Sequence, residues 1–342
     1  MTTKEMAEII GISRITLSKY LNGKGGISKK SADKIDRYLQ LYNFTPNIHA
    51  RSLAGKKERI ISFVTTFSAV SDGVSRISSH FATMFTNHIL AQAKTFDYKV
   101  LVSITDMEHA AVEVEQLFSS SLIQGAILFG LEQGSSEFQR LYERNWPLVL
   151  VNQEDHPMSE RCSVVNMDDQ NSVHQAFDLL YDMGHTRFLS LDSNRKRLPA
   201  LRRSRGVEQA LEDLGAKGVS CLRRNANFKE DVAFDLVREL YQETADPPTA
   251  IIAANDLSAI GAINALSELG KSVPEDVSVI GFDDIPISGY FTPALSTFRA
   301  DYEQMAQDTI KELVRLIEEP EAKAQVIEIP MEFVRRDSIG PN

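Results

Sequence analysis

Residues 2–22 read TTKEMAEIIGISRITLSKYLN, and this pattern predicts two short helices that flank a tight turn. Thr3 is placed to cap the first helix, and Ser13 is placed to cap the second. Gly11 between them can adopt the positive φ that a sharp corner needs. Apolar residues at helical spacing would pack the helices together: Met6, Ala7, Ile9, Ile10, Leu17, Tyr20 and Leu21. The pattern predicts a helix-turn-helix, whose second helix enters the DNA major groove by its N-terminal residues.

The next segment predicts a third helix over residues 28–42, followed by a linker. Ser28 is a suitable N-cap, and Pro46 prevents the helix from continuing. The inward face of this helix would consist of Ala32, Ile35, Tyr38 and Leu39. The polar and basic residues 46–59 are expected to form a linker with one short helix over 47–53.

Charge is divided unevenly along the chain. The 342 residues carry a formal net charge of −10. Residues 1–59 contain twelve Lys and Arg against five Asp and Glu, whereas the remainder contains 25 basic and 42 acidic residues. A basic segment joined to an acidic body indicates a DNA-binding module attached to a domain with a different task.

From residue 60 onward, strand-like and helix-like segments alternate. Strands such as 126–129 (Ala-Ile-Leu-Phe) are apolar on both sides, which is typical of a parallel sheet covered by helices on both faces. The alternation restarts after about residue 166, so two lobes are expected. The predicted fold class is an all-α helix-turn-helix headpiece followed by an α/β core of two doubly wound parallel-sheet lobes.

Several other classes of protein are disfavoured. Cys162 and Cys221 have no metal-ligand spacing, which favours a reducing cytoplasm. No apolar stretch reaches the length of about 18 residues that a membrane span requires, and no secretory signal precedes the first helix. The seven histidines are scattered, and there is no Gly-x-Ser-x-Gly motif or phosphate-binding glycine loop. No enzymatic activity, cofactor or metal is therefore expected.

Motifs in both halves of the chain carry a resemblance to a known family. The N-terminal motifs are Lys4-x-x-Ala7, Gly11-Ile12-Ser13, Thr16-Leu17-Ser18-Lys19, Leu21-Asn22-Gly23 and Pro46-Asn47-x-x-Ala50-Arg51-x-Leu53. Those of the second half are Met183-Gly184-His185, Ala254-Asn255-Asp256 and Gly281-Phe282-Asp283-Asp284. The chain resembles the lactose-repressor (LacI/GalR) family of transcription regulators, whose core is similar to periplasmic sugar-binding proteins.

The resemblance implies three parts and a core that the chain crosses three times. The parts would be a DNA-binding headpiece (1–45), a hinge helix and linker (46–59), and an effector-binding and dimerisation core (60–342). The first lobe is expected to contain about residues 60–166 and 287–322, and the second about 167–285 and 323–342. The crossings are expected near 166–168, 284–288 and 321–326.

Side-chain chemistry and the resemblance together predict the DNA contacts. Arg14 can pair bidentately with guanine, and Ile15 can contact a thymine methyl group. Leu53 would act as an apolar wedge in the minor groove. The alternatives are an Arg14 that only faces solvent and a Leu53 that only packs. The predicted DNA-binding residues are Thr3, Arg14, Ile15, Thr16, Ser18, Lys19, Asn22, Lys29, Asn47, Ala50 and Leu53.

The resemblance also implies a set of effector-binding residues between the lobes: Asn152, Arg203, Phe228, Asn255 and Asp283. Phe228 could instead belong to the core, and Asn255 and Asp283 could serve only to cap helices or fix turns. The effector would be a sugar or sugar derivative. The turns Asn152-Gln153 and Asp192-Ser193-Asn194 depart from the family pattern, so effector identity, and whether it induces or co-represses, stay open.

Six basic residues between Asp192 and Gly206 suggest an anionic effector, such as a sugar acid or sugar phosphate, which Arg203 and either Arg197 or Arg202 would hold. They are Arg195, Lys196, Arg197, Arg202, Arg203 and Arg205. Arginine can grip a carboxylate or phosphate bidentately, and the helix beginning near Ser204 would add its positive end. The alternative is that these side chains point to solvent and balance an acidic body.

The expected partners are a pseudo-palindromic DNA operator, a small-molecule effector and a second copy of the chain, with no membrane. The helix over 81–96 offers an apolar face for a homodimer. The C-terminal segment lacks the leucine heptads that make tetramers in some members of the family. The alternative function is a solute-binding protein of a transport or sensing system, which the headpiece argues against.

Overall fold

The structure is a computed structural model that describes residues 2–21, 26–42, 44, 58–66, 79–132, 134, 138–154, 160–215 and 217–342. The chain folds as two units, Met1–Arg59 and Ile60–Asn342, each with an apolar core of its own. Within the described residues, no helix has the length and apolar character needed to cross a membrane.

Helices α1 (Thr3–Ile10), α2 (Arg14–Leu21) and α3 (Lys29–Leu41) form the described part of the N-terminal unit. All three contribute to its small core, which consists of Met6, Ala7, Ile10, Leu17 and Ile35. The predicted helix-turn-helix is therefore confirmed. Ile9, predicted to face inward, is instead 40% exposed.

The two ends of α1 fix its position relative to α2. Thr2, and not the predicted Thr3, caps α1. Thr2 Oγ1 accepts a hydrogen bond from the Glu5 N–H at 3.2 Å, and Glu5 Oε2 accepts one from the Thr2 N–H at 2.9 Å. This reciprocal pair is a capping box, which satisfies two N–H groups near the start of the helix. Gly11 adopts φ 75° after α1, so the chain turns without the steric cost of a side chain.

The core unit alternates strands and helices along the chain. Its strands are β1 (Ile60–Thr65), β2 (Lys99–Ile104), β3 (Gly125–Phe129), β4 (Leu148–Val151), β5 (Cys162–Met167), β6 (Arg187–Asp192), β7 (Ser220–Asn225), β8 (Ala250–Ala253), β9 (Ser278–Asp283), β10 (Ser296–Arg299), β11 (Val326–Ile329) and β12 (Glu332–Val334). Its helices are α4 (Ser79–Thr95), α5 (Met107–Ser119), α6 (Gln139–Glu143), α7 (Asp169–Asp182), α8 (Leu198–Gly215), α9 (Glu230–Glu243), α10 (Asp256–Glu268) and α11 (Tyr302–Glu318). A 3-10 helix, Pro286–Gly289, follows β9.

The described strands form two six-stranded sheets, one in each lobe. The first sheet has the order β11-β5-β4-β3-β1-β2, and all its pairs are parallel. The second has the order β12-β10-β9-β8-β6-β7, in which only β12 runs antiparallel. Strands β1, β3, β4 and β5 are buried along their whole length, as expected for a parallel sheet covered on both faces. The predicted fold class is confirmed.

Two strands lie in the other lobe from the one predicted. β10 was expected in the first lobe but pairs with β9 in the second sheet, and β11 was expected in the second lobe but pairs with β5 in the first sheet. The chain therefore crosses between the sheets after Arg299 and after Ile329. The predictions of crossings near 284–288 and 321–326 are wrong.

The buried carboxylate of Asp256 explains why β10 stays in the second lobe. Asp256 Oδ2 accepts a hydrogen bond from Ser288 Oγ at 2.6 Å, and Oδ1 accepts one from Thr297 Oγ1 at 2.5 Å. These bonds hold the 3-10 helix and β10 against the start of α10. Asp256 and Thr297 lie 41 residues apart in the sequence, so no local pattern could show which sheet β10 joins.

Two glycines allow the helices of the second lobe to pack at close range. A Cβ atom on Gly206 of α8 would lie 2.4 Å from the Gln170 carbonyl oxygen of α7. A Cβ atom on Gly261 of α10 would lie 2.2 Å from the Glu230 carbonyl oxygen of α9. Both distances are well below van der Waals contact, so any larger residue would force the backbones apart. At Gly215, the last residue of α8, a Cβ would meet no atom within 4 Å.

We expect Gly206→Ala to lower the free energy of unfolding of the core by about 1–3 kcal/mol, because the added methyl group pushes α7 away from α8. Gly215→Ala is the matched control in the same helix and should leave the free energy unchanged or raise it by up to about 1 kcal/mol. Urea denaturation followed by circular dichroism measures both variants. Equal destabilisation by the two would contradict the close crossing as the cause.

Candidate DNA-contacting face and ligand cleft

The N-terminus of α2 presents exposed side chains on the headpiece. Ser13 Oγ accepts a hydrogen bond from the Thr16 N–H at 3.0 Å, so Ser13 caps α2 as predicted. Arg14 is exposed and Ile15 is 71% exposed, whereas Leu17 is fully buried. Burial of Leu17 fixes the rotation of α2 about its axis. Arg14 and Ile15 consequently face outward, in positions from which side chains can reach base edges.

The other predicted headpiece residues differ in exposure: Lys19 and Lys29 are exposed, and Thr3, Thr16 and Ser18 are half-buried. Ammonium and hydroxyl groups in such positions suit contacts with phosphate oxygens. Four further predicted DNA-binding residues lie outside the described residues: Asn22, Asn47, Ala50 and Leu53.

Three predicted effector-binding residues lie at the carboxyl ends of strands and have strained backbones. Asn152 follows β4 with φ 56°, Phe228 follows β7 with φ 61°, and Asp283 ends β9 with φ 106°. A positive φ is rare for residues with a side chain, and it costs on the order of 1–3 kcal/mol. Ligand sites of parallel sheets lie beyond the carboxyl ends of the strands. The strain is therefore located at the edge of each sheet where a ligand would bind.

Arg203 of α8 is the centre of the cleft side of the second lobe. Its side chain is 10% exposed, and its Nε donates to Asp169 Oδ1 at 2.7 Å. Nη2 donates to Asp283 Oδ1 at 3.2 Å, and Nη1 donates to the Ala254 carbonyl oxygen. The guanidinium carbon lies 4.8 Å from the centroid of the Phe282 ring. Two predicted residues, Arg203 and Asp283, are thus in direct contact.

Two carboxylates share this single guanidinium, so negative charge is in excess around it. Burial raises the pKa of Asp283 to about 6, although the neighbouring Arg203 favours the charged form. Carboxylate oxygens accept hydrogen bonds and guanidinium groups donate them, so the cluster offers both partners that hydroxyl groups of a ligand require.

Asn255 and Asp256 form the start of α10. Asn255 Oδ1 accepts a hydrogen bond from the Ser258 N–H at 3.0 Å, and its Nδ2 donates to the Phe228 carbonyl oxygen at 3.3 Å. Asn255 therefore caps its helix and also fixes the turn of Phe228, whose side chain is half-buried. Burial, together with the charge of Asp283, raises the pKa of Asp256 to about 7.

The six basic residues after Asp192 all contact acceptors of the protein itself. Arg195 pairs with Glu208 of the same lobe at 2.8 Å. The acceptors of the other five are Glu132 for Lys196, the Gly130 carbonyl for Arg197, Glu328 for Arg202, Asp169 and Asp283 for Arg203, and Glu154 for Arg205. The arrangement differs from both sequence interpretations, since these cations neither point jointly into an open cleft nor simply face solvent.

Asp169 and Asp256 are the members of this cluster that the sequence interpretation missed. Each directly follows a polar residue that caps a helix, Asp168 in one case and Asn255 in the other. A polar cap followed by a carboxylate is the common start of a helix, so the local pattern indicates capping and no more. The fold brings Asp169 to Arg203, which lies 34 residues further along the chain.

Comparison with known proteins gives matches to both units. Residues 1–44 match the helix-turn-helix family, and residues 177–339 match the periplasmic binding protein-like domain. The probable HTH-type transcriptional repressor ExuR of Bacillus subtilis is 29% identical, in an alignment that covers 99% of this chain and 98% of the relative. The HTH-type transcriptional repressor PurR of Vibrio vulnificus is 24% identical, with 99% and 98% covered.

Solved structures show the same fold. The lac repressor dimer bound to operator and the anti-inducer ONPF superimposes with a TM-score of 0.83 at 23% identity, and the match covers 99% of this chain and 98% of that one. The complex of the transcriptional regulator CelR with cellobiose has a TM-score of 0.68 at 20% identity, with 99% of both chains covered.

We expect Asp256 to make stability depend on pH. Because folding raises its pKa from 3.8 to about 7, the folded chain binds this proton more tightly than the unfolded chain does. The stability that protonation contributes is present at low pH and is lost as the pH rises through about 7. Asp256→Asn removes this titration and should flatten the fall in unfolding free energy between about pH 4 and pH 7.

Urea denaturation at each pH measures that slope. Asp301→Asn, at the exposed cap of α11, is the control and should leave the slope as it is in the unmodified chain. An unchanged slope in Asp256→Asn would show that this carboxyl does not titrate on folding.

Proposed function

The chain belongs to the lactose-repressor (LacI/GalR) family of transcription regulators, and from this premise we propose that it is a repressor whose affinity for operator DNA is set by a small molecule between its core lobes. The observation that carries the proposal is the exposed start of α2, with Arg14 and Ile15, in one chain with a two-lobed core. The solute-binding alternative is not favoured, because repressors match 99% of the chain, headpiece included.

DNA recognition would divide between base edges and phosphates. Arg14 would pair with a guanine in the major groove, and Ile15 would contact a thymine methyl group. Lys19 and Lys29, both exposed, would bind phosphates. The hinge residues Asn47, Ala50 and Leu53 would enter the minor groove. A homodimer places one headpiece on each half of a pseudo-palindromic operator in the cytoplasm.

The test of DNA recognition uses an operator selected in vitro from random duplexes. Arg14→Ala should cost about 1–3 kcal/mol of operator affinity and relax the preference at one base pair of each half-site. Lys29→Ala should weaken binding to the selected and to random DNA by the same factor, because a phosphate contact carries no sequence information. Fluorescence anisotropy measures both affinities. Equal losses on both DNAs for both variants would overturn the assignment of Arg14.

Effector control would act through the angle between the lobes. The candidate effector residues come from both lobes: Asn152 from the first, and Arg197, Arg203, Phe228, Asn255 and Asp283 from the second. A ligand that contacts both lobes binds one lobe angle better than another and shifts the population toward it. A change of angle alters the spacing of the two hinge helices in the dimer, and hence operator affinity.

The effector is a sugar or sugar derivative in this proposal, and we place any anionic group of it away from Arg203. Arg203 already contacts two carboxylates, so a third negative charge beside it would be repelled. Arg197 donates to a backbone carbonyl, which an incoming carboxylate or phosphate can replace with a stronger, charge-assisted hydrogen bond. Hydroxyl groups of the sugar would then face Asp283 and Arg203.

Calorimetry on the full chain decides the charge of the effector. Sugar acids or sugar phosphates should bind more tightly than the corresponding neutral sugars, and added salt should weaken their binding. Arg197→Ala should lower that affinity by about tenfold or more, as expected for a lost charged hydrogen bond. Arg195→Ala, whose partner is Glu208, should not. Salt-insensitive binding of a neutral sugar, unaffected by Arg197→Ala, would exclude an anionic effector.

The first lobe offers a surface for the second copy. β2 is the edge strand of its sheet and exposes three apolar side chains, and Leu90 of α4 is 41% exposed. The three are Leu101, Val102 and Ile104. An edge strand with exposed apolar residues tends to pair with another chain.

We expect light scattering at micromolar concentration to give the mass of a dimer. Ile104→Glu should shift the protein toward monomers, because the charge would be buried without a partner in the interface. Val326→Glu, at the opposite edge strand β11, is the control and should stay dimeric. A stable tetramer would contradict the dimer, and an unaffected Ile104→Glu would contradict this interface.

A further inference from the structure

Four of the basic residues after β6 contact the first lobe: Arg202 does so at the strands where the chain crosses between the sheets, and the other three do so elsewhere. Lys196 Nζ lies 3.6 Å from Glu132 Oε2, and Arg205 Nη1 lies 3.2 Å from Glu154 Oε1. Between them in sequence, Arg197 Nη1 donates to the Gly130 carbonyl oxygen. All three acceptors belong to loops at the carboxyl end of the first sheet: two follow β3, and Glu154 follows β4.

These contacts join the two lobes at a distance from the places where the chain itself passes from one lobe to the other. The chain crosses between the sheets after β5, β10 and β11. Arg202 lies at those crossings, since it contacts the carbonyl of Met167, the last residue of β5, at 3.3 Å and Glu328 of β11 at 2.6 Å. A contact at a crossing persists when the lobes rotate, whereas the contacts of Lys196, Arg197 and Arg205 lie in loops away from the crossing strands and would break.

We propose that Lys196, Arg197 and Arg205 form an ionic clasp that holds the cleft closed and must open for a ligand to enter or leave. The role in ligand control rests on the proposed function; the clasp itself does not, because its effect is a separation of the lobes that can be measured without DNA or effector. The clasp would make the lobe angle sensitive to ionic strength.

The two ion pairs of the clasp are well exposed to solvent, and this exposure limits the strength of the clasp. The side chains of Lys196 and Arg205 are 64% and 47% exposed, so salt screens both pairs. Pairs of this kind shift an equilibrium by about two- to fivefold each. Two such pairs, together with the hydrogen bond from Arg197 to the Gly130 carbonyl oxygen, would shift one opening equilibrium by about tenfold or more. The clasp is strong enough to bias the lobes and weak enough to release.

Arg195 supplies the matched control. It lies in the same segment and carries the same charge, but its partner is Glu208 of its own lobe at 2.8 Å. Its removal changes the net charge of the segment without breaking a contact between lobes. A general charge effect and a clasp therefore give different results.

The experiment measures the distance between two spin labels at the cleft ends of the lobes. Glu108→Cys at the start of α5 and Asp231→Cys at the start of α9 place exposed labels on opposite sides. Cys221→Ser removes the half-buried native cysteine, and Cys162 can stay because it is buried. The labelled full chain is mixed with excess unlabelled chain, so that a dimer carries at most one labelled copy.

The combined variant Lys196→Gln, Arg197→Gln, Arg205→Gln should raise the population at long distance by about tenfold or more. High salt should do the same to the unmodified chain, and Arg195→Gln should not. Arg205→Glu alone should open the lobes, and adding Glu154→Arg should restore the closed distribution. Glu132→Gln with Glu154→Gln repeats the test from the other lobe if the triple variant folds poorly.

Two results would overturn the clasp: a triple variant with the distance distribution of the unmodified chain, or an Arg195→Gln variant that opens as far as the triple one. Neither result would affect the proposed regulation of DNA binding, which is tested by operator affinity. Conversely, a chain that does not bind DNA would leave the distance measurement valid.

Discussion

One buried guanidinium holds together the cleft side of the second lobe. Arg203 joins the start of α7, the end of β8 and the end of β9, three segments that are far apart in the chain. A buried charge is stable when it is paired and hydrogen-bonded, and loss of one partner leaves the other uncompensated. The strained turn at Asp283 and the position of Phe282 depend on the same side chain. A ligand that enters this region meets groups that already hold one another in place, which reduces the ordering cost of binding.

The headpiece could be predicted from the sequence because the rules that determine it are local. Gly11 and Ser13 fix a corner and a helix start within a few residues of each other. The error at the first helix is also local: the cap was placed at Thr3, although the spacing from Thr2 to Glu5 is the one that a capping box requires. Two adjacent threonines look alike until the position of the glutamate is considered.

The core shows where prediction from one sequence stops. The lobes to which β10 and β11 belong were predicted wrongly, because the choice of sheet depends on contacts such as that of Thr297 with Asp256, 41 residues away in sequence. The basic residues after β6 were identified correctly, but the sequence does not show which acceptors they contact. Glu132 and Glu154, which form ion pairs with two of these residues, belong to loops in which the sequence shows no motif. The fold decides whether such charges serve a ligand, the surface or the opposite lobe.

The exchange of strands between the lobes has a consequence for biosynthesis. The first sheet is covered by α11 and completed by β11, and the second is completed by β10 and β12, so both lobes need residues beyond Ser296. A ribosome that has made β1 to β9 therefore carries two sheets that each still lack strands. Unpaired strand edges and uncovered apolar surface make nascent chains of this kind prone to aggregate. A premature stop within α11 would remove β11 from the first sheet and β12 from the second, so one truncation would leave both lobes incomplete.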